Sequence, residues 1–301
     1  MNFQENEVSV ALGRLNQKLI DLKKTSEYRL GKRIILVLEL LRKGRLKELF
    51  GLIKMMLTHQ NKLKAEVALT AKDYVQNFKG RIAVYTCIVG LSEMIEPPYF
   101  VSENCDYYIF TDMDIPQDYV WKKIDIAMLS LPCDSPNEIN RYIKLHPHEF
   151  FKDYEYSLYV DGNIQIVTDV LPMVNKMTEK EIIALHAHDR RSCAYKEAKV
   201  FFDIPRLRKF AQAADRQMAA YRERGFPEDF GLFENPIIIR KHNDLVCQEV
   251  MDLWWEQLVT YSMRDQLSLP YVLWKLKIPE DKIHIMGANL RENPRFIQIQ
   301  H

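Results

Sequence analysis

Cysteine is scarce and scattered in this 301-residue sequence. Cys87, Cys105, Cys133, Cys193 and Cys247 are odd in number and far apart, and no C-x-x-C occurs. A zinc ribbon or a thioredoxin-type site is thereby disfavoured. Five dispersed thiols fit a reducing compartment better than a disulfide scaffold. The G-x-G-x-x-G and G-x-x-x-x-G-K-[ST] fingerprints are both missing, so dinucleotide and P-loop readings lose their usual support. Long apolar runs are missing too. The longest, Ile34 to Leu38, is cut by Glu39, whereas a membrane-spanning helix needs about 20 apolar residues. The opening MNFQENEVSV lacks the basic-then-apolar order of a signal peptide. The expectation is a soluble, cytoplasmic chain. Excess charge is missing as well: 42 Lys+Arg stand against 41 Asp+Glu, so bulk charge gives no argument for nucleic acid.

What is present is ordinary globular material with one asymmetry. Hydrophobic residues at 47% and charged residues at 28% exclude a disordered or low-complexity chain. At this length a substantial core can form. Residues 1–80 hold 16 Lys+Arg and 8 Asp+Glu, a balance of +8, and the remainder carries −7. This shift divides the chain into a basic helical region, 1–78, and a body, 79–301. Val8, Leu12, Leu15, Leu19 and Leu22 step by four and three, the spacing of one helix face. A second helical segment is expected from Lys32 to His59, with a break at Gly44. The pair either packs on the body or touches an anionic membrane surface or a partner. Spacing and charge leave both open.

In the body, strands are expected at 81–90, 105–112, 119–124, 156–163, 235–240 and 282–287. Helices are expected at 137–151 (broken by Pro147), 168–176, 206–224, 245–261 and 265–275. Such alternation implies an α/β fold with a mainly parallel sheet flanked by helices. Ligands then sit beyond the carboxyl ends of the strands. Two strands run into carboxylates there, Asp112 and Asp161. Ser157-Leu158-Tyr159-Val160-Asp161-Gly162-Asn163-Ile164 carries the sharpest signal. Asp161 and Asn163 offer two hard oxygens that suit Mg²⁺ or Mn²⁺, although a D-G-N turn is also an ordinary chain reversal.

The D-G-N tip resembles the D-x-D element of GT-A (Rossmann-like) nucleotide-sugar glycosyltransferases. Three further stretches extend the likeness: Arg141 to His148, His188 to Tyr195, and Arg264 to Tyr271. Together they resemble the TOD1/MUCI70 family of glycosyltransferase-like domains over residues 80–295, leaving the helical N-terminus uncovered. The resemblance implies a nucleotide-diphosphate-sugar donor, expected to be uridine-linked, and a glycan or other acceptor. It implies that Tyr85, Thr86 and Asp112 hold the nucleotide, and that Arg141 and Lys144, one helical turn apart, face the diphosphate. His188, Arg190 and Arg191 would line the donor or acceptor pocket. His284-Ile285-Met286-Gly287 is similar to the late H-x-x-G of glycogenin-related retaining enzymes, making His284 a third metal ligand beside Asp161 and Asn163. Asp265 and Gln266 match their Asp-Gln pair near the reacting sugar carbon, which favours retention. Asn163 replaces the second acid of D-x-D, so metal dependence stays open. The rival readings are a nucleotidyl- or other phosphoryl-transfer enzyme, which would want more clustered acids, and a non-catalytic carbohydrate-binding protein on the same fold.

Overall fold

The computed structural model describes residues 3–42, 78–90 and 96–299. The expected helix past Arg42 lies outside the described residues. Two helices open the chain, α1 (Phe3–Lys24) and α2 (Ser26–Arg42). The body then runs β1 (Ile82–Ile88), β2 (Cys105–Thr111), β3 (Lys122–Asp125), α3 (Pro136–Leu145), α4 (Pro147–Phe150), β4 (Tyr156–Val160), β5 (Ile164–Ile166) and α5 (Leu171–Asn175). It continues through β6 (Ile183–Ala187), α6 (Ala194–Asp203), α7 (Arg208–Glu223), β7 (Phe233–Arg240), α8 (Leu245–Thr260), α9 (Asp265–Lys275), β8 (Ile283–Ile285) and β9 (Phe296–Gln298).

Seven strands form one sheet in the order β3-β2-β1-β4-β7-β6-β8. Six share one direction and β7 is reversed, antiparallel to both β4 and β6. This is the expected α/β architecture with a mainly parallel sheet. β1 is buried at every position, which explains its unbroken apolar run: strands of a sheet covered on both faces need no polar side. One face packs Tyr85, Phe110, Tyr159 and Leu185 against Ile143 of α3 and Trp254, Leu258 and Leu273 of α8 and α9. The other packs Val84, Ile109, Leu158 and Ile237 against Leu171 and Val174 of α5 and Phe296 of β9. A third apolar cluster joins α6, α7 and α9 through Phe201, Met218, Tyr221 and Tyr271.

Several boundaries differ from the sequence reading, each for a local reason. The third strand begins at Lys122 rather than Tyr119, because Trp121 is buried and donates Nε1 to Glu96 O before pairing starts. The helix expected from Thr168 begins at Leu171, whose N–H is taken by Asp169 Oδ1. α1 docks with a different face from the one its leucines suggest. Ser9, Gly13, Asn16 and Ile20 are buried. Ser9 Oγ meets Thr168 Oγ1 at 2.7 Å, and Asn16 Nδ2 donates to Pro294 O at 2.7 Å.

Candidate active site

The carboxyl ends of β4 and β6 and the start of reversed β7 meet at one edge of the sheet, and Asp161 N donates to Pro236 O there. Asp161 opens a turn closed by Ile164 N donating to Asp161 O, 2.9 Å. Gly162 is needed in that turn for space: a Cβ on it would sit 2.8 Å from Ile88 Cδ1. The late strand that reaches the turn is β9, whose neighbour Ile299 donates its N–H to Asn163 O.

α3 brings cations to this edge. A capping box starts the helix, with Ser135 Oγ accepting from Glu138 N and the Glu138 carboxylate accepting from Ser135 N. Pro136 at its first turn suits the fixed helical φ. The last turn of the helix carries Lys144, whose side chain is completely buried. Its Nζ lies 2.7 Å from Asp265 Oδ2 and 3.3 Å from Asp161 Oδ1. The ammonium also sits 4.8 Å above the centre of the Tyr159 ring. Arg141, three residues earlier, places Nη1 3.8 Å from the same Asp265 oxygen.

Charge is nearly balanced in this cluster. Burial would raise the Asp265 pKa, but Lys144 and Arg141 hold its carboxyl well below the usual range. Burial opposes the Arg141 charge, and the Asp265 and Asp161 carboxylates more than compensate, leaving its pKa raised. Burial and the neighbouring Asp161 push the Tyr159 phenol far up. The resting site thus holds two carboxylates, two cations and a neutral phenol. The Asp161 side chain remains 30% exposed, whereas Asp265 is nearly closed off at 12%.

Buried groups below Lys144 fix its position. Tyr85 O–H donates to Lys144 O at 2.8 Å. Arg240, also fully buried, donates Nη1 to that carbonyl at 2.7 Å and Nη2 to the Tyr85 oxygen. Trp254 Nε1 donates to Asp265 O, holding the first turn of α9.

The remaining sequence candidates divide. Asp265, Lys144, Arg141 and Asp161 converge. Gln266 adjoins them, its N–H donating to Asp265 Oδ1. Tyr85 is corrected: it has no exposed surface and supports Lys144 from beneath, so it cannot touch a nucleotide. Thr86 is likewise buried, 2% exposed. Asp112 stands at the carboxyl end of β2, where its carboxylate accepts the Gly90 N–H at 3.1 Å. His284 does not join Asp161. It lies in the edge strand β8, paired with Ala184, and its Nδ1 is 3.2 Å from Glu181 Oε1. Three inter-strand steps of about 4.8 Å each separate β8 from β4.

His188, Arg190 and Arg191 follow β6 at the same edge. His188 Nδ1 accepts from the N–H groups of both Arg190 and Arg191 at 3.2 Å. Burial lowers its pKa, so the neutral ring carries its proton on Nε2, toward Glu197 Oε2 at 3.9 Å. Arg191 pairs with that same glutamate, and Arg190 is exposed. The sequence reading did not group His188 with Asp189 and Glu234. Among the described residues these three offer ligand atoms within 4.8 Å of one another. His188 Nδ1 already accepts two backbone N–H groups, and Glu234 accepts from Leu290 N and Arg291. These contacts anchor the loop after β6, while Asp189 Oδ1 is buried with no hydrogen-bond partner among the described residues.

The description of the TOD1/MUCI70 glycosyltransferase-like domain matches residues 51–301. The chain belongs to the TOD1/MUCI70 family. The family match begins inside the region read from sequence as a basic helical segment, and α1 and α2 precede it. None of the curated proteins matches. Among solved structures the chain is similar to apo mouse xyloside xylosyltransferase 1 at 10% identity and a TM-score of 0.38, over 69% of this chain and 84% of that one. It is also similar to the apo WbbM bifunctional glycosyltransferase at 10% identity and a TM-score of 0.42, over 95% of this chain and 60% of that one. Similarity to GlyE of Streptococcus pneumoniae TIGR4 is 14% in identity with a TM-score of 0.37, over 69% of this chain and 46% of that one. The family assignment rests on the domain match alone.

Proposed function

We propose that this chain transfers a glycosyl group from a nucleoside-diphosphate sugar, uridine-linked, to a glycan or other acceptor with retention of configuration. One observation carries the reading. Asp161 from the D-G-N tip and Asp265 from the start of α9 are 104 positions apart in sequence, yet both reach Lys144 Nζ at the carboxyl edge of the sheet. Membership of a glycosyltransferase-like family supports it from an independent side.

The chemistry follows from the charges. The bond between the anomeric carbon and the diphosphate oxygen breaks, so negative charge grows on the leaving phosphate and positive charge on the sugar. Arg141 stabilises the first by charge-assisted hydrogen bonds in a partly closed site, and the enclosed Lys144 adds its charge from behind without touching the ligand. Asp265, kept ionised by those cations, stabilises the second. The acceptor oxygen bonds to the anomeric carbon and its proton leaves with the diphosphate. Asp161 and Asn163 fit a divalent ion in kind: one carboxylate and one amide oxygen suffice for Mg²⁺ or Mn²⁺ that also takes waters and phosphate oxygens. Such an ion, when bound, would neutralise part of the leaving diphosphate's charge. His284 is not needed in this set.

The test incubates the purified chain with nucleoside-diphosphate sugars and Mn²⁺ and measures release of free nucleoside diphosphate. Asp161→Ala and Asp265→Ala are each expected to lower turnover about 100-fold or more. Pyrophosphate as product would instead favour nucleotidyl transfer. Failure of the nucleotide to bind at all would favour a non-catalytic carbohydrate-binding role. Turnover unchanged in Asp265→Ala would remove that carboxylate from the chemistry.

A further inference from the structure

We propose that α1 seats the protein on an anionic phospholipid surface through an apolar stripe that the other described residues leave uncovered. The face of α1 that meets the body is small and polar: Ser9, Gly13 and Asn16, with Ile20. Its hydrogen bonds to Thr168 and Pro294 fix the helix about its axis. That rotation turns the heptad-spaced side chains away from the protein. Val8 is 53% exposed, Leu15 67% and Leu22 54%. Of the sixteen exposed large hydrophobics among the described residues, eight lie between Val8 and Leu38. A patch of this kind marks an interaction surface.

Charge selects the occupant. Lys18 and Lys23 are exposed and flank the stripe on its two sides, on a helix that carries four basic and three acidic residues. Basic residues bordering an apolar stripe are the pattern of a helix lying in a bilayer interface. A second copy of the chain fits poorly. In a parallel pair through the Leu12, Leu15, Leu19 and Leu22 seam, Lys18 of one helix would face Lys23 of the other, a like-charge contact. Asn16, which would border the same seam, is already buried against the body. Two heptads are also short for a self-sufficient coiled coil. An anionic lipid surface accepts the leucines in its acyl boundary and the lysines among its headgroups without either conflict.

Flotation of the full-length chain tests this, with vesicles of phosphatidylcholine alone and of phosphatidylcholine mixed with phosphatidylglycerol. The chain is expected to float with the mixed vesicles only, and less so in high salt. Leu15→Glu/Leu22→Glu should abolish flotation, and Lys18→Gln/Lys23→Gln should weaken partitioning about thirtyfold. Both variants should keep the wild-type thermal transition, because all four side chains are exposed. The proposal is overturned if the wild type floats with neither vesicle, or if the leucine variant floats like the wild type. It is equally overturned if sedimentation shows a dimer that the leucine variant dissolves, which would assign the stripe to a second copy. None of these readouts depends on glycosyl transfer.

Discussion

Lys144 is an ammonium with no exposed surface, held by Asp265 at 2.7 Å and Asp161 at 3.3 Å. Desolvating such a group is costly, and the cost is recovered only while its partners stay in place. Removing the charge alone leaves Asp265 nearly buried, with Arg141 at 3.8 Å as its remaining close cation. Lys144→Met is therefore expected to destabilise the fold by about 3 kcal/mol, read as a lowered denaturant midpoint. Lys144→Met/Asp265→Leu should recover most of that loss, since the two removed charges cancel and Arg141 keeps Asp161 as its counter-charge. A Lys144→Met variant as stable as wild type would show that the pair is not buried as described. The sequence already put Arg141 and Lys144 on one helix face, because i and i+3 positions share a side. It could not reveal that Lys144 turns inward. That depends on Tyr85 and Arg240 capturing its carbonyl, contacts 59 and 96 positions away in the chain. Arg240 left only a faint trace: an arginine closing a run of three isoleucines, where a core strand would otherwise end in water.

At the scale of elements, α3 delivers both site cations, so its start is a stability determinant removed from the chemistry. Ser135 and Glu138 satisfy each other's backbone donors across the first turn. Ser135→Ala is expected to cost about 1 kcal/mol. The loss should appear as a lower thermal midpoint, while nucleotide binding at temperatures well below it stays unchanged. A loss of binding without a loss of stability would mean that Ser135 itself meets the ligand. Long elements with a clear pattern, such as α3, α8 and β1, were legible because their periodicity or continuous apolar character is strong. β5, β6, α6 and β9 were not. β5 and β9 have three residues each and exist because they pair with each other. β6 reads Ile-Ala-Leu-His-Ala, and its one polar side chain is wholly buried by tertiary contacts that no local pattern announces. The late H-x-x-G misled for a related reason. A short strand with a histidine looks the same whether it borders the site or, like β8, closes the far edge of the sheet.

The whole molecule stores an acid sensitivity in two histidines outside the Lys144 cluster. His186 has no exposed surface, and its Nε2 accepts from Asn293 Nδ2 at 3.0 Å. His242 donates Nε2–H to Phe151 O at 2.8 Å. Burial pushes each down to about 4. Both rings are therefore neutral in the fold across the range where an unfolded histidine, with a pKa of about 6.5, takes up a proton. Below that value the unfolded chain binds protons that the native chain refuses, so stability falls as pH drops. The loss runs from about pH 6.5 to about pH 4 and then levels off for these two groups, each contributing up to about 3 kcal/mol. Asp265 acts in a separate, lower window. Its depressed pKa adds stability at neutral pH that is lost only once an unfolded carboxyl begins to protonate, below about pH 4. Urea midpoints measured from neutral pH to pH 4 should decline through the histidine window before the carboxylate window opens. His186→Gln/His242→Gln should start from a lower midpoint and show a flatter decline, because glutamine takes up no proton. A wild-type midpoint that holds steady down to pH 4.5 would mean that both rings ionise within the fold. The sheet interior around them would then have to admit water or a counter-charge, at odds with their complete enclosure between β6, β7 and the segment before β9.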